Sequence, residues 1–193
     1  MRFLLALFAL LIAPLAHAQE KQQAVFAGGC FWCMEADMDY IPGVISVESG
    51  YTGGKEKNPT YLQVASHQTG HYEAVRVTFD PAKISYEQLL SRYWPLIDPT
   101  DANGQFCDRG QSYAPAIFAS PAQKPAAEKS KQQVIASGRV NGTVIVPILP
   151  LGDFWPAEEY HRNYAKRNKA DYDAYRAGCR RDDRLAKVWK PVG

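Results

Sequence analysis

Apolar and polar residues alternate most regularly in "HYEAVRVTFDP", residues 71–81. The period of two predicts a strand that Asp80-Pro81 ends, with His71, Glu73, Val75, Val77 and Phe79 on one face and Tyr72, Ala74, Arg76 and Thr78 on the other. Weaker strand patterns run through "QQAVFAGG" (22–29), "GVISVESGYTGG" (43–54), "SYAPAIFAS" (112–120) and "TVIVPILP" (143–150). Helical spacing places Leu89, Leu90, Tyr93 and Trp94 of "SYEQLLSRYWPLID" (85–98) together, with Ser85 as N-cap. Further helices are expected from Cys30 until Ile41-Pro42-Gly43 stops the pattern, over "NPTYLQVAS" (58–66), as a polar surface helix over 121–137, and over "PAEEYHRNYAKRN" (156–168). "DPTDANGQFCDRGQ", residues 98–111, reads as a loop. Strands and helices interleave at short intervals, which predicts one mixed α/β or α+β domain with helices packed on a sheet.

The first eighteen residues change the picture. "MRFLLALFALLIAPLAHA" has one basic residue, an apolar run too short to span a bilayer, and a small-residue site ending at Ala18. It predicts a cleaved signal peptide and an exported protein, periplasmic or secreted. Removing eighteen residues from 193 leaves a catalytic domain of 175, residues 19–193, long enough for a substantial core. Taking away Arg2 leaves 21 basic against 20 acidic residues. That near balance points to neither nucleic acid nor an anionic membrane as partner.

Four cysteines remain: Cys30, Cys33, Cys107 and Cys179. Zinc would want a second C-x-x-C or a histidine pair, so no metal is expected. In an exported chain an even count usually means structural disulfides. Cys30, however, follows Gly28-Gly29 and opens a helix, where unpaired N–H groups and the positive dipole end favour a thiolate. It is the best nucleophile in the chain; the bland alternative is a small buried apolar residue. Glu73 shares the apolar face of its strand, so its carboxyl should be desolvated, raised in pKa and suited to general acid work. Phe31 and Trp32 read equally as core or as an apolar wall beside the sulfur.

These residues also stand in a wider pattern. "GGCFWCME", "SGYTGG", "NPTY", "GHYEAVRVTFDP", "IDPTD", "QFCDRGQSY" and "PAEEYHRNY" occur in the order and spacing of the A-type peptide methionine sulfoxide reductases. The chain resembles that family from about residue 24 to 190. The resemblance implies a compact α+β domain, a mixed sheet flanked by helices, with the nucleophilic cysteine at a helix N-terminus. It implies Cys30 as nucleophile, Glu73 as acid, Tyr61 and Tyr113 as hydroxyls on the sulfoxide oxygen, Phe31 and Trp32 as the methyl pocket, and Asp108 as a substrate-binding residue. Reduction of the S epimer of methionine sulfoxide, free or in oxidised proteins, follows without a cofactor. Cys30 becomes a sulfenic acid, a second cysteine condenses with it, and a thioredoxin-like dithiol recycles the disulfide.

The family pattern has glycine where this chain has Cys33, which leaves three resolving candidates. Cys179 ranks first, in an arginine-rich C-terminal segment. Cys107, in a loop with Gly104 and Gly110, and Cys33 follow or act in a relay. Two other readings compete: a thioredoxin-type thiol–disulfide oxidoreductase using Cys30 and Cys33, and an exported domain stapled by two disulfides. A Cys30–Cys33 bridge closes too short a loop to be a useful staple. A monomer is expected.

Overall fold

A computed structural model describes residues 20–191; the expected signal peptide lies outside them. Among the described residues, eight strands and seven α-helices follow one another along the chain. The strands are β1 (Gln22–Ala27), β2 (Val44–Thr52), β3 (Tyr72–Phe79), β4 (Gly104–Gln105), β5 (Asp108–Arg109), β6 (Ala116–Ala119), β7 (Ile148–Pro150) and β8 (Phe154–Pro156). The helices are α1 (Phe31–Asp39), α2 (Tyr61–Ala65), α3 (Tyr86–Tyr93), α4 (Lys124–Ala136), α5 (Tyr164–Arg167), α6 (Lys169–Gly178) and α7 (Arg181–Val188).

Six strands form one sheet in the order β7-β6-β1-β3-β2-β8, and β4 pairs with β5 in a separate hairpin. Every pair in the large sheet is antiparallel except β6 with β7, so the sheet is mixed and the fold is α+β. The alternation of β3 sorts its side chains as expected: Glu73, Val75, Val77 and Phe79 are buried while Tyr72, Arg76 and Thr78 are half-buried. Phe26, Val75, Val77 and Phe79 join Met34, Met38, Leu89, Leu90, Tyr93 and Trp94 in the main core. A smaller cluster of Val25, Ala27, Ala74, Ala116 and Phe118 covers the opposite face.

Ser85 caps α3 in a full capping box with Gln88, and Thr60 caps α2 likewise with Gln63. Each pair satisfies two helix-end donors reciprocally. Three segments depart from the sequence reading. Only residues 148–150 of "TVIVPILP" pair as a strand, where they find β6. "PAEEYHRNYAKRN" gives an edge strand ending at Pro156, turns, and only the short α5 as helix. Its first two residues lie where β2 offers an open edge, and Gly50 pairs with Pro156 there. The expected loop at 98–111 is ordered around Gln105, which is fully buried. Its carboxamide accepts from Asp98 N–H at 2.8 Å and donates to the Asp98 carbonyl at 2.9 Å.

The chain end folds back under the domain. Arg181 at the start of α7 is buried, donating to the carbonyls of Leu96 at 2.6 Å and Gly28 at 3.3 Å. Trp189 donates to the Ile97 carbonyl at 2.9 Å. These bonds seat α6 and α7 beside the start of α1.

Candidate active site

The turn from β1 into α1 positions Cys30. Gly29 holds φ +82°, where a side chain is strained, and a Cβ there would stand 2.6 Å from Gln105 Cβ. Gly28 is closed in too, since a Cβ would meet Met34 Sδ at 2.5 Å. The glycines therefore let the neighbouring elements close on the backbone just before the sulfur. Cys30 is the N-cap of α1, and its carbonyl accepts from the N–H groups of Cys33 at 3.1 Å and Met34 at 3.2 Å.

A cleft of about 60 Å³ gathers Cys30, Phe31, Trp32, Tyr61, Glu73, Asp108, Tyr113 and Tyr175. Seven of these are the catalytic and substrate-binding residues expected from sequence; Tyr175 is new. They come from β1–α1, α2, β3, the β4–β5 hairpin, the turn before β6, and α6. Glu73 is only 3% exposed, and its Oε2 accepts from Phe31 N–H at 3.0 Å. Burial pushes its carboxyl up to about 8, against the opposing bond from Phe31, so near neutral pH it keeps its proton. Tyr61 and Tyr113 both line the cleft, and burial raises both hydroxyls.

The expected fall in the Cys30 pKa is not found. Burial pushes that thiol up, and its bond to Cys33 and the nearness of Glu73 add to the rise. The physical reason is visible at the helix start: the Phe31 N–H of α1 is engaged by Glu73 and not by the sulfur. The lowering falls on Cys33 instead, to about 7, because Cys30 donates to it and Arg181 and Arg176 lie near, in opposition to burial. Cys30 and Cys33 are thus two free thiols one helical turn apart, 7% and 2% exposed. Cys107 and Cys179 are joined to each other, with Cα atoms 4.9 Å apart. Cys107 is exposed and Cys179 half-buried. The candidate ranked first for resolution is therefore paired with the second, while the third stands one helical turn from the nucleophile.

A second layer holds the pocket walls. Trp32 stacks on Tyr164 at 3.7 Å and donates to His161 Nδ1 at 3.2 Å. The Glu158 carboxylate accepts from Tyr51 Oη and from Tyr61 N–H, both at 2.8 Å, and so ties β2 to α2. Phe31 packs against Tyr51 and His161. Glu158, His161 and Tyr164 all belong to "PAEEYHRNY", which the sequence reading took as a helix and assigned no site role. Tyr175 and Arg181 gave no sequence signal, because a tyrosine on an amphipathic helix and one arginine among several are ordinary surface features.

The peptide methionine sulfoxide reductase family model matches residues 22–192. The chain belongs to the A-type peptide methionine sulfoxide reductases. It is 60% identical over 195 residues to peptide methionine sulfoxide reductase MsrA 2 of Caulobacter vibrioides, covering 98% of this chain and 99% of the relative. Peptide methionine sulfoxide reductase MsrA of Bacillus licheniformis is 50% identical over 173 residues, covering 89% of this chain and 96% of its own. Methionine sulfoxide reductase A of Corynebacterium diphtheriae superposes with a TM-score of 0.68 at 29% identity, over 77% of this chain and 76% of that one.

Proposed function

We propose that this protein reduces the S epimer of methionine sulfoxide, free or in oxidised proteins, with Cys30 as nucleophile, Glu73 as acid, Cys33 as the first resolving thiol and Cys107 with Cys179 as the outer electron couple. The observation that carries it is the gathering of a thiol, a buried carboxyl and two tyrosine hydroxyls around one small cleft. Cys33, the more acidic of the two thiols, takes the Cys30 proton as its thiolate and so frees Cys30 to attack. Its sulfur attacks the sulfoxide sulfur, the S–O bond breaks, and Glu73 supplies the proton that makes the oxygen a leaving group. The released hydroxide or water attacks the Cys30 sulfur, the bond between the two sulfurs breaks, methionine leaves and Cys30 carries the sulfenic acid. Tyr61 and Tyr113 hold the sulfoxide oxygen, Phe31 and Trp32 the methyl group, and Asp108 the substrate beside them.

Cys33 then condenses with the sulfenic acid, releasing water and leaving a Cys30–Cys33 disulfide. A protein reductant has little access to sulfurs 7% and 2% exposed. The exposed Cys107 is the natural port: a thioredoxin-like dithiol reduces Cys107–Cys179, and that dithiol in turn reduces Cys30–Cys33 by thiol–disulfide exchange. The same burial speaks against a thioredoxin-type enzyme working directly through Cys30 and Cys33. We read the N-terminal eighteen residues as a signal peptide and the enzyme as exported, acting as a monomer since one chain supplies every group in the cleft. Separate S and R methyl sulfoxides, assayed with dithiothreitol and with thioredoxin beside an insulin reduction assay, test the reaction. Turnover of the R epimer alone, or insulin reduction without sulfoxide turnover, would overturn it.

A further inference from the structure

Tyr175 is the one residue lining the cleft that neither the sequence nor the proposed reaction uses. It lies on α6, and its hydroxyl donates to Asp108 Oδ2 at 2.5 Å. The same side chain lines the cleft together with Cys30, and its ring stands edge-on to Trp32 at 5.7 Å. One hydroxyl thus shares the cleft with two acceptors, a carboxylate and the attacking sulfur. From the geometry we infer that Tyr175 is a further catalytic residue, whose hydroxyl is shared as a hydrogen-bond donor between Asp108 and the Cys30 thiolate as that thiolate forms, and passes wholly to the thiolate when substrate engages Asp108. The inference rests on Cys30 being the attacking cysteine of the proposed reaction.

The surroundings leave this donor little competition. Around the sulfur stand Cys33 on α1, Glu73 on β3, Tyr61 on α2, Asp108 on β5 and Tyr175 on α6. Cys33, whose own charge opposes a second thiolate, and Glu73 both disfavour charge on Cys30; Tyr175 favours it. The arginines that offset charge in this region, Arg176 and Arg181, act on Cys33. Tyr175 also sits where the outer disulfide holds it. The N–H of Cys179 donates to the Tyr175 carbonyl at 2.9 Å, and Cys107 adjoins Asp108, so the Tyr175–Asp108 bond and the Cys107–Cys179 bond join the same two segments.

The test uses Tyr175→Phe in a Cys33→Ser background, with iodoacetamide alkylation of Cys30 followed against pH by peptide mass spectrometry. A hydrogen bond to a charged group shifts such an equilibrium about ten-fold or more, so the alkylation midpoint should rise by about one pH unit or more. With Cys33 intact, Tyr175→Phe should slow single-turnover methionine formation by a similar factor. Asp108→Asn keeps Tyr175 and removes the competing charge, so the midpoint should fall, and fall less when Tyr175→Phe is also present. The phenyl ring keeps the contact with Trp32, and an unchanged melting curve checks the fold. An unchanged midpoint in Tyr175→Phe, or an equal effect of Asp108→Asn with and without the hydroxyl, overturns the inference. Alkylation needs no sulfoxide, so failure of sulfoxide turnover in the wild type would count against the reaction and not against Tyr175.

Discussion

Two cysteine pairs stand a few residues from one cleft and differ in almost every physical respect. Cys30 and Cys33 lie one helical turn apart, buried and unbridged. Cys107 and Cys179 are separated by 72 residues, partly exposed and bridged. In the chain-entropy picture a loop of that length stabilises the fold by about 4 kcal/mol, whereas a C-x-x-C bridge adds little. The inner pair is suited to chemistry on a small group that can enter a narrow cleft. The outer pair is suited to exchange with something too large to enter. In the proposed reaction this difference would separate substrate from reductant by burial alone, with Asp108 and Tyr175 bonded to each other between the two zones.

The sharpest way to break this division is at the nucleophile. Cys30→Ser should abolish sulfoxide reduction with any reductant, since a serine hydroxyl is not ionised near neutral pH; turnover close to wild type with dithiothreitol would end the assignment. Next is Glu73→Gln, which should slow methionine formation in a single turnover by ~10²–10⁴-fold. In the wild type the same step should weaken as pH rises through about 8, where the Glu73 carboxyl, raised by burial, loses its proton. A flat profile to well above that value would place the acid elsewhere.

The division of labour itself is read by counting. Fully reduced enzyme, given excess sulfoxide and no reductant, should form about two equivalents of methionine, one per dithiol, and Cys107→Ser or Cys179→Ser about one. Those two variants should also accumulate the Cys30–Cys33 disulfide and lose thioredoxin-supported turnover. An unchanged count and full thioredoxin activity would make Cys107–Cys179 a staple and nothing more. Trp32→Ala should raise KM for methyl sulfoxides and lower the melting temperature as well, because its ring also stacks on Tyr164 and bonds His161. A loss confined to the melting temperature would make Trp32 core alone.

The smallest effect concerns Glu35, buried behind the site and bonded to Asn163 N–H at 2.9 Å. Burial raises its carboxyl to about 7, so the folded state holds a proton that the unfolded state has already released above its ordinary range. Its contribution is complete at acid pH and is lost as pH rises through about 7. Glu35→Gln should therefore flatten part of the fall in stability between mildly acid and neutral pH, as measured by denaturant titration.

Much of this was legible in the residues, and the limits have physical causes. The period of two in residues 71–81 carried Glu73 onto a buried face because strand geometry leaves no other choice once one face packs. The capping boxes at Thr60 and Ser85 are local, so three or four residues suffice to see them. The double glycine before Cys30 marked a close-packed turn for the same reason. "PAEEYHRNY" misled because Ala-Glu-Glu-Tyr favours a helix in isolation, while the open edge of β2 recruits Phe154–Pro156 as a strand. The Cys30 pKa misled because a helix start lowers a thiol only where its N–H groups reach the sulfur, and here Glu73, 42 residues away, accepts from Phe31. By itself, then, spacing within single elements determined a mixed domain of strands and helices, the place of Cys30 before α1 and the buried Glu73 on β3, while the choice of α+β came from the family resemblance. Only the tertiary structure decided that Cys107 pairs with Cys179, that Glu73 takes the first N–H of α1 and that Tyr175 joins Cys30 in the cleft, because each depends on distances between segments that no local period encodes.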